Sequence, residues 1–378
     1  MNRNSLKVDI PSLLTGTLIG AGAVLAKTNF DKRFPDKTPG QRRVNRALSK
    51  ALRKARNGQP ISLDTEHRFV IFSDHHKGGN NEADAFRGAK ENYLAALDHY
   101  HEKEFTLIIL GDAEELLEER FEKVIDSYQD VLQSEARFYP LRHFRLPGNH
   151  DVYWESQDFV NRHLGDYFPG IQFPGGLVLE FENDDGIEGE IFMTHGHQGT
   201  LDADIFSFFP PLVLPLYRSL QIITGMGKAK PSDDACLRAE HDTRMYRWAS
   251  RQEGLILISG HTHRPVWSSI THLEKLVMQL HALLALPPDQ RPDDFQELVE
   301  QLQNEIKERA EKYPPCTDTI KTRPCYFNTG CCCFRDGDIT GIEIVDGQMA
   351  LVKWGMENDV AARVELEKMP LAEIFAML

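Results

Sequence analysis

From Glu66 onward the sequence predicts an α/β fold, and three observations carry that reading. Short β-rich runs alternate with helical stretches, and no internal repeat divides the chain. Five of the runs also end in a glycine-flanked group of polar residues, placed where open α/β sheets bind their ligands.

Taken in order, HRFVIFS (67–73) is a strand followed at once by Asp74-His75-His76-Lys77-Gly78-Gly79, and a helix is expected over roughly Ala83–His101. FTLIIL (105–110) runs into Gly111-Asp112, and LRHFRL (141–146) into Pro147-Gly148-Asn149-His150-Asp151. EIFMT (190–194) leads to His195-Gly196-His197, and GLILIS (254–259) to Gly260-His261-Thr262-His263-Arg264-Pro265. The glycines permit tight turns and close approach. One Asp-x-His carries little information, but five metal-competent loops in succession, all at strand ends, do not arise by chance.

At 378 residues, 41% hydrophobic and 26% charged, the chain can bury a sizeable core in one large domain or two smaller ones. Its net charge of −14 argues against a nucleic-acid partner, because phosphate backbones repel such a surface. The charge is uneven: Lys27–Arg56 holds 11 basic residues and two acids, while the body from Asn57 onward carries 30 basic and 54 acidic residues. Residues 1–60 therefore read as an apolar and basic arm ahead of a domain spanning 61–378. Within the arm, the apolar run from Ile10 to Ala26 sits at the lower limit for a membrane span. The basic cluster behind it keeps the body on the cytoplasmic side. Gln41–Arg56 reads as a helix with Val44, Ala47, Leu48, Ala51, Leu52 and Ala55 on one face and cations on the rest. Two readings stand for it: peripheral contact with an anionic membrane, or packing on the acidic body.

Six cysteines fall at 236, 316, 325, 331, 332 and 333, without a CxxC pair or a zinc-type spacing. They read as reduced thiols, with a metal or redox role left open for Cys331–Cys333.

Two insertions interrupt the alternation. The first, about 199–247, contains LDADIFSFFPPLVLPLYRSLQII (201–223), a lid with an apolar underside or an apolar hairpin on the core. The second, 268–315, reads as a helical hairpin around Pro287-Pro288, with Leu273, Leu276, Leu280 and Leu283 facing Phe295, Leu298, Leu302 and Ile306. Apolar alternation on either side of Asp346-Gly347 signals a β-hairpin, and Leu371–Leu378 a short helix.

DHH (74–76), GD (111–112), GNHD (148–151), HGH (195–197) and GHTH (260–263) resemble, in order, the signature of the calcineurin-like metallophosphoesterase superfamily. The resemblance implies a four-layer α/β/β/α sandwich with the two insertions set into it. It implies two divalent metal ions, one held by Asp74, His76, Asp112 and His263, the other by Asp112, Asn149, His195 and His261. Mn²⁺ is the first candidate for such mixed donors, with Fe or Zn²⁺ as the others. The implied activity is hydrolysis of a phosphomonoester or phosphodiester by a metal-bridging hydroxide, with His150 as general acid. Glu115 and Asp151 are the two candidates to orient His150, Glu115 the preferred one. Asn149, Arg264 and Lys77 are candidate contacts to substrate phosphate. His75 and His197 flank the ligands, and Asn328 is read as closing the sheet nearby. The apolar insertion resembles that of UDP-diacylglucosamine pyrophosphohydrolases, which act on a lipid-linked substrate, but those enzymes carry Arg where this chain has His150. A scaffold that binds metal without catalysis is the remaining alternative.

Overall fold

The structure, a computed structural model, describes residues 39–58, 60–63, 67–182, 186, 188–199, 235–287, 290–292, 294–312 and 321–378. The apolar segment at Ile10–Ala26, the first part of the basic cluster and the apolar insertion 201–223 lie outside the described residues.

In chain order the strands are β1 (Ile61–Leu63), β2 (Phe69–Phe72), β3 (Thr106–Ile109), β4 (His143–Arg145), β5 (Leu177–Glu182) and β6 (Glu188–Met193), then β7 (Leu255–Ser259), β8 (Pro265–Val266), β9 (Tyr326–Thr329), β10 (Ile339–Val345), β11 (Gln348–Glu357) and β12 (Val360–Pro370). The helices are α1 (Pro39–Arg56), α2 (Lys90–Glu102), α3 (Phe121–Ser127), α4 (Gln129–Ala136) and α5 (Gln157–His163), then α6 (Ala235–Ala249), α7 (His272–Leu284), α8 (Phe295–Lys312) and α9 (Leu371–Ala376).

Among the described residues the strands form two six-stranded sheets, ordered β1-β5-β6-β7-β9-β8 and β12-β11-β10-β2-β3-β4. Alternation along the strands decides the layers. Phe69 and Ile71 of β2 meet Ile256 and Ile258 of β7 in the core between the sheets. Val70 and Phe72 face the other way, onto Tyr93, Ala96, Leu97 and Tyr100 of α2. Leu255 and Leu257 turn outward onto α1 and Met245, Tyr246, Trp248 and Ala249 of α6. Helix, sheet, sheet, helix is the resulting order, the expected four-layer sandwich.

Parallel pairing lines up the strand ends. Phe72 is opposite Ile109 and Ile109 opposite Arg145, so the loops after β2, β3 and β4 leave one sheet side by side. Met193 opposite Ile258 does the same for β6 and β7 in the other sheet.

Two expectations change. The helix expected from Ala83 begins at Lys90, because Asp84 collects the Gly78, Asn80 and Phe86 amides and the Tyr128 hydroxyl and holds the preceding residues in turns. The boundary at residue 60 falls behind a helix that is already packed: Val44, Leu48 and Leu52 of α1 are buried against β5, β6 and α6. That apolar face is occupied by the protein and is not free for a membrane, while Arg42, Arg46, Lys50 and Arg53 remain exposed. Beyond β10 and β11, β12 adds a long edge strand whose mixed sequence, VAARVELEKMP, carries no clean alternation.

The Asp346-Gly347 hairpin and α9 form as expected, Asp346 and Gly347 both taking positive φ. In the second insertion α7 and α8 pack on each other. Thr271 and Glu274 close a capping box at the start of α7. No helix among the described residues is long and apolar enough to cross a membrane.

Candidate metal centre

The five loops meet between the carboxyl ends of β2, β3 and β4 and those of β6 and β7. Backbone bonds fasten them first. The amides of Asp74 and His76 donate to the carbonyls of Gly111 (3.1 Å) and Asp112 (2.9 Å), and the Gly260 amide donates to His195 (2.9 Å). Two glycines are required by approach alone. A Cβ on Gly148 would collide with the Asp112 carboxylate and amide, and one on Gly260 with Ser73 and Asp74.

On this frame all seven expected ligands converge. His263 Nε2 lies 3.2 Å from Asp74 Oδ1 and 3.1 Å from His76 Nε2. His195 Nε2 lies 3.2 Å from Asp112 Oδ2 and 3.2 Å from Asn149 Oδ1. Asp74, His76 and His263 form one group with ligand atoms within 4.8 Å of one another, and Asp112, His195 and His261 form another. Asp112 also joins His76 and His150 in a third such group, so its carboxylate stands between the first two.

The donor set fits cations. His195 Nδ1 donates to the Leu110 carbonyl (2.7 Å), which turns its Nε2 toward the two oxygen acceptors. His76 Nδ1 donates to Glu115 Oε2 (3.0 Å), with the same result on its other nitrogen. Asp74 Oδ1 is buried without a hydrogen bond, while Asp74 Oδ2 accepts from Ser73 and from the His261 amide (2.8 Å). Buried oxygens converging on these ring nitrogens need positive charge between them, from a proton or from a cation. Burial opposes charge on His195, yet the Asp112 and Asp74 carboxylates push its ring up to about 9. His261 goes the opposite way: burial, then the neighbouring His195 and His241, hold it neutral.

His150 stands beside this centre, its ring 4.6 Å from that of His76. Its Nδ1 is 2.9 Å from Glu115 Oε1, and its amide donates to Asp112 Oδ1 (2.8 Å). One carboxylate thus supports both His76 and His150. Burial works against the charge on Glu115, but His150 and His76 hold its carboxyl well below the usual carboxylate range.

Asp151 is placed differently from its expected role. Its carboxylate accepts the amides of Ala113 (2.7 Å) and Gly148 (2.6 Å), stapling two loops together and leaving His150 to Glu115. Burial, then the Asp112 and Glu114 carboxylates, push its carboxyl up to about 7. Lys77 likewise turns away from the centre. It is buried against Glu135 (2.9 Å) and Glu114 (3.1 Å), where charge pairing offsets the desolvation that an approach to substrate would not. Arg264 is mostly buried, its guanidinium 3.6 Å from Asp242. His75 packs edge-on against Phe72, Tyr93 and Phe86, whereas His197 stays beside His195 with ring centroids 5.2 Å apart. Asn328 accepts the Gly330 amide and donates to the Gly260 carbonyl (2.7 Å), buttressing the His261 turn.

Sequence reasoning missed two residues of α6. His241 Nε2 meets the Gly196 carbonyl (2.6 Å), and Asp242 accepts from Thr262 (2.9 Å) and Tyr326 (2.8 Å), so this helix props two ligand loops. An adjacent His-Asp pair in a helix that otherwise carries ordinary charges was the one available signal. Glu114 and Glu135 gave none, since nothing local marks a carboxylate as buried.

The solved structures similar to this chain include two of low sequence identity. Vacuolar Protein Sorting 29 from Cryptosporidium parvum is 10% identical with a TM-score of 0.35, the match covering 80% of this chain and 98% of that one. A dimetal phosphatase from Danio rerio is 11% identical with a TM-score of 0.37, covering 80% and 100%. Comparison with curated proteins returns no match. The family model for calcineurin-like phosphoesterases matches residues 67–265, a span that holds all five loops, and the chain belongs to that family.

Proposed function

We propose that the protein hydrolyses a phosphomonoester or phosphodiester, with two divalent ions in the centre and His150 protonating the leaving oxygen. The observation that carries this reading is the Glu115 carboxylate, shared between His76 Nδ1 (3.0 Å) and His150 Nδ1 (2.9 Å). It orients a ligand and a proton donor as one unit.

Asp74, His76, Asp112 and His263 would hold one ion, and Asp112, Asn149, His195 and His261 the other. Bound there, the ions acidify a water and neutralise charge on the phosphoryl group. The chain's own groups do the rest. Asp112 and Asp74 supply the negative charge that keeps cations in place. Glu115 accepts from His150 Nδ1 and so directs Nε2–H toward the substrate. Mixed imidazole, carboxylate and amide donors favour Mn²⁺, with Fe or Zn²⁺ as alternatives. A proton donor beside the centre supports a hydrolase whose leaving group needs protonation, and sets this chain apart from pyrophosphatases with Arg at that position. The substrate is read as a phosphorylated small molecule or lipid.

His150→Ala should lower kcat on an alkyl phosphate by about 10²–10⁴-fold with Mn²⁺, while bound metal stays near normal. On an aryl phosphate with an acidic phenol the loss should shrink. Equal losses on both substrates would refute the proton-donor role, and no turnover of either by the wild type would leave a metal-binding scaffold.

A further inference from the structure

Past β9 the three consecutive cysteines send their side chains to two different sides. Cys332 is buried in the core between the sheet and α2. Its amide donates to the carbonyls of Ser73 and Asp74 (3.2 Å each), which pins the segment along the turn that carries Asp74. Cys331 and Cys333 point the other way, toward His263. Cys333 Sγ lies 3.7 Å from His263 Nδ1, and the two sulfurs and a His263 ring nitrogen are all within 4.8 Å of one another. His263 Nε2 meanwhile faces Asp74 and His76. One imidazole therefore stands between an oxygen–nitrogen donor set and a sulfur donor set.

We propose that His263 Nδ1, Cys331 Sγ and Cys333 Sγ form a third metal position, for a thiophilic divalent ion such as Zn²⁺ or Cd²⁺. Thiolate ligands select such ions over Mn²⁺ or Mg²⁺. Zinc–sulfur and zinc–nitrogen bonds of about 2.3 and 2.1 Å in tetrahedral array place neighbouring ligand atoms roughly 3.5–3.8 Å apart. The 3.7 Å between Cys333 Sγ and His263 Nδ1 matches that edge. Cys331 is buried, whereas Cys333 and His263 are partly exposed, so the position has backing on one side and access on the other. Binding releases the two thiol protons to solvent. A neutral imidazole has one lone pair to give, so an ion at Nδ1 takes His263 away from Nε2 ligation. Occupancy of this position and of the first ion of the hydrolytic pair oppose each other.

The full-length protein, reduced and then freed of reductant, is titrated with Cd²⁺ while the ultraviolet thiolate-to-cadmium charge-transfer band and the bound metal are followed. Wild type should develop the band at a total bound metal no greater than that of Cys331→Ser/Cys333→Ser, which should lose the band, because the third ion and the first share His263. An absent band in wild type overturns the proposal and leaves only a sulfur hydrogen bond to His263. An undiminished band in the double variant overturns it too, by assigning the thiolates elsewhere. Should the circular dichroism of the double variant show misfolding, Cys333→Ser alone, at the more exposed position, must still weaken the band. The readout needs no turnover, so it stands or falls separately from the hydrolase reading.

Discussion

Five residues of the centre adopt a backbone conformation that non-glycine residues avoid. Asp74, His76, Asp112, His261 and His263 have φ of 53°, 52°, 51°, 70° and 55°. Each costs about 1–2 kcal/mol, and such strain persists where the surroundings over-determine it. Here the cross-loop amide bonds and the packed Gly148 and Gly260 do so, turning successive side chains back toward one point. Glu115 adds a second constraint on His76 and His150. Glu115→Gln should therefore weaken metal binding about 10–100-fold and lower kcat as well, because an amide offers one acceptor where two rings need one each. Asp151→Asn should instead act mainly on thermal stability, since its partners are backbone amides. Metal titration and melting curves of both variants check this. A Glu115→Gln protein with wild-type metal affinity would show that the shared carboxylate is incidental.

At the scale of elements, a buried ion cluster joins the pieces that carry the ligands. Arg145 of β4 donates to both oxygens of Glu114 (2.6 and 2.7 Å), Lys77 pairs with Glu114 and with Glu135 of α4, and Trp154 donates to Glu114 (2.8 Å). Burial opposes the charge on Glu114, but Arg145 and Lys77 hold its carboxyl down to about 2. Its folded-state value lies below the unfolded one, so the cluster stabilises the protein above the ordinary carboxylate range. That contribution is lost as pH falls toward 2. Glu114→Gln should cost about 3–5 kcal/mol at neutral pH, because it leaves buried cations short of a partner. The acid limb of its stability profile should be flatter than that of wild type. Urea unfolding at several pH values measures both, and a neutral-pH loss below about 1 kcal/mol would contradict this account. The strands themselves are legible because short apolar runs followed by polar, glycine-flanked groups mark them. Lys77, a cation next to a metal motif, reads in the sequence as a substrate contact, and nothing local shows that its partner Glu135 lies 58 residues away.

For the whole molecule, four layers leave α1 as part of the body, with a basic outer surface. Its buried Val44, Leu48 and Leu52 contribute about 1.5–3 kcal/mol each. Leu48→Asp should therefore lower the melting temperature. Reversing Arg42, Arg46, Lys50 and Arg53 to Glu should leave melting nearly unchanged, yet weaken binding to anionic vesicles at low salt, at about 1 kcal/mol per charge. Vesicle sedimentation beside melting curves separates the two effects. Full-length protein that ignores anionic vesicles at low salt would end the proposal of membrane contact.

By itself the sequence singled out the seven candidate ligands, because each follows its strand within a few residues and such motifs are local. It also determined the helices and hairpin whose apolar period or turn residues are self-contained. The tertiary structure alone decided that β2, β3 and β4 belong to one sheet and β6 and β7 to the other. It decided that Glu115 serves two histidines, that Asp151 and Lys77 turn into the scaffold, and that α1 buries its apolar face. It also brought His263 against Cys333, 70 residues further along the chain. Each of these depends on a partner supplied by a distant segment. A side chain's direction is settled by the charge or apolar surface waiting for it, and only the folded chain puts that surface in place.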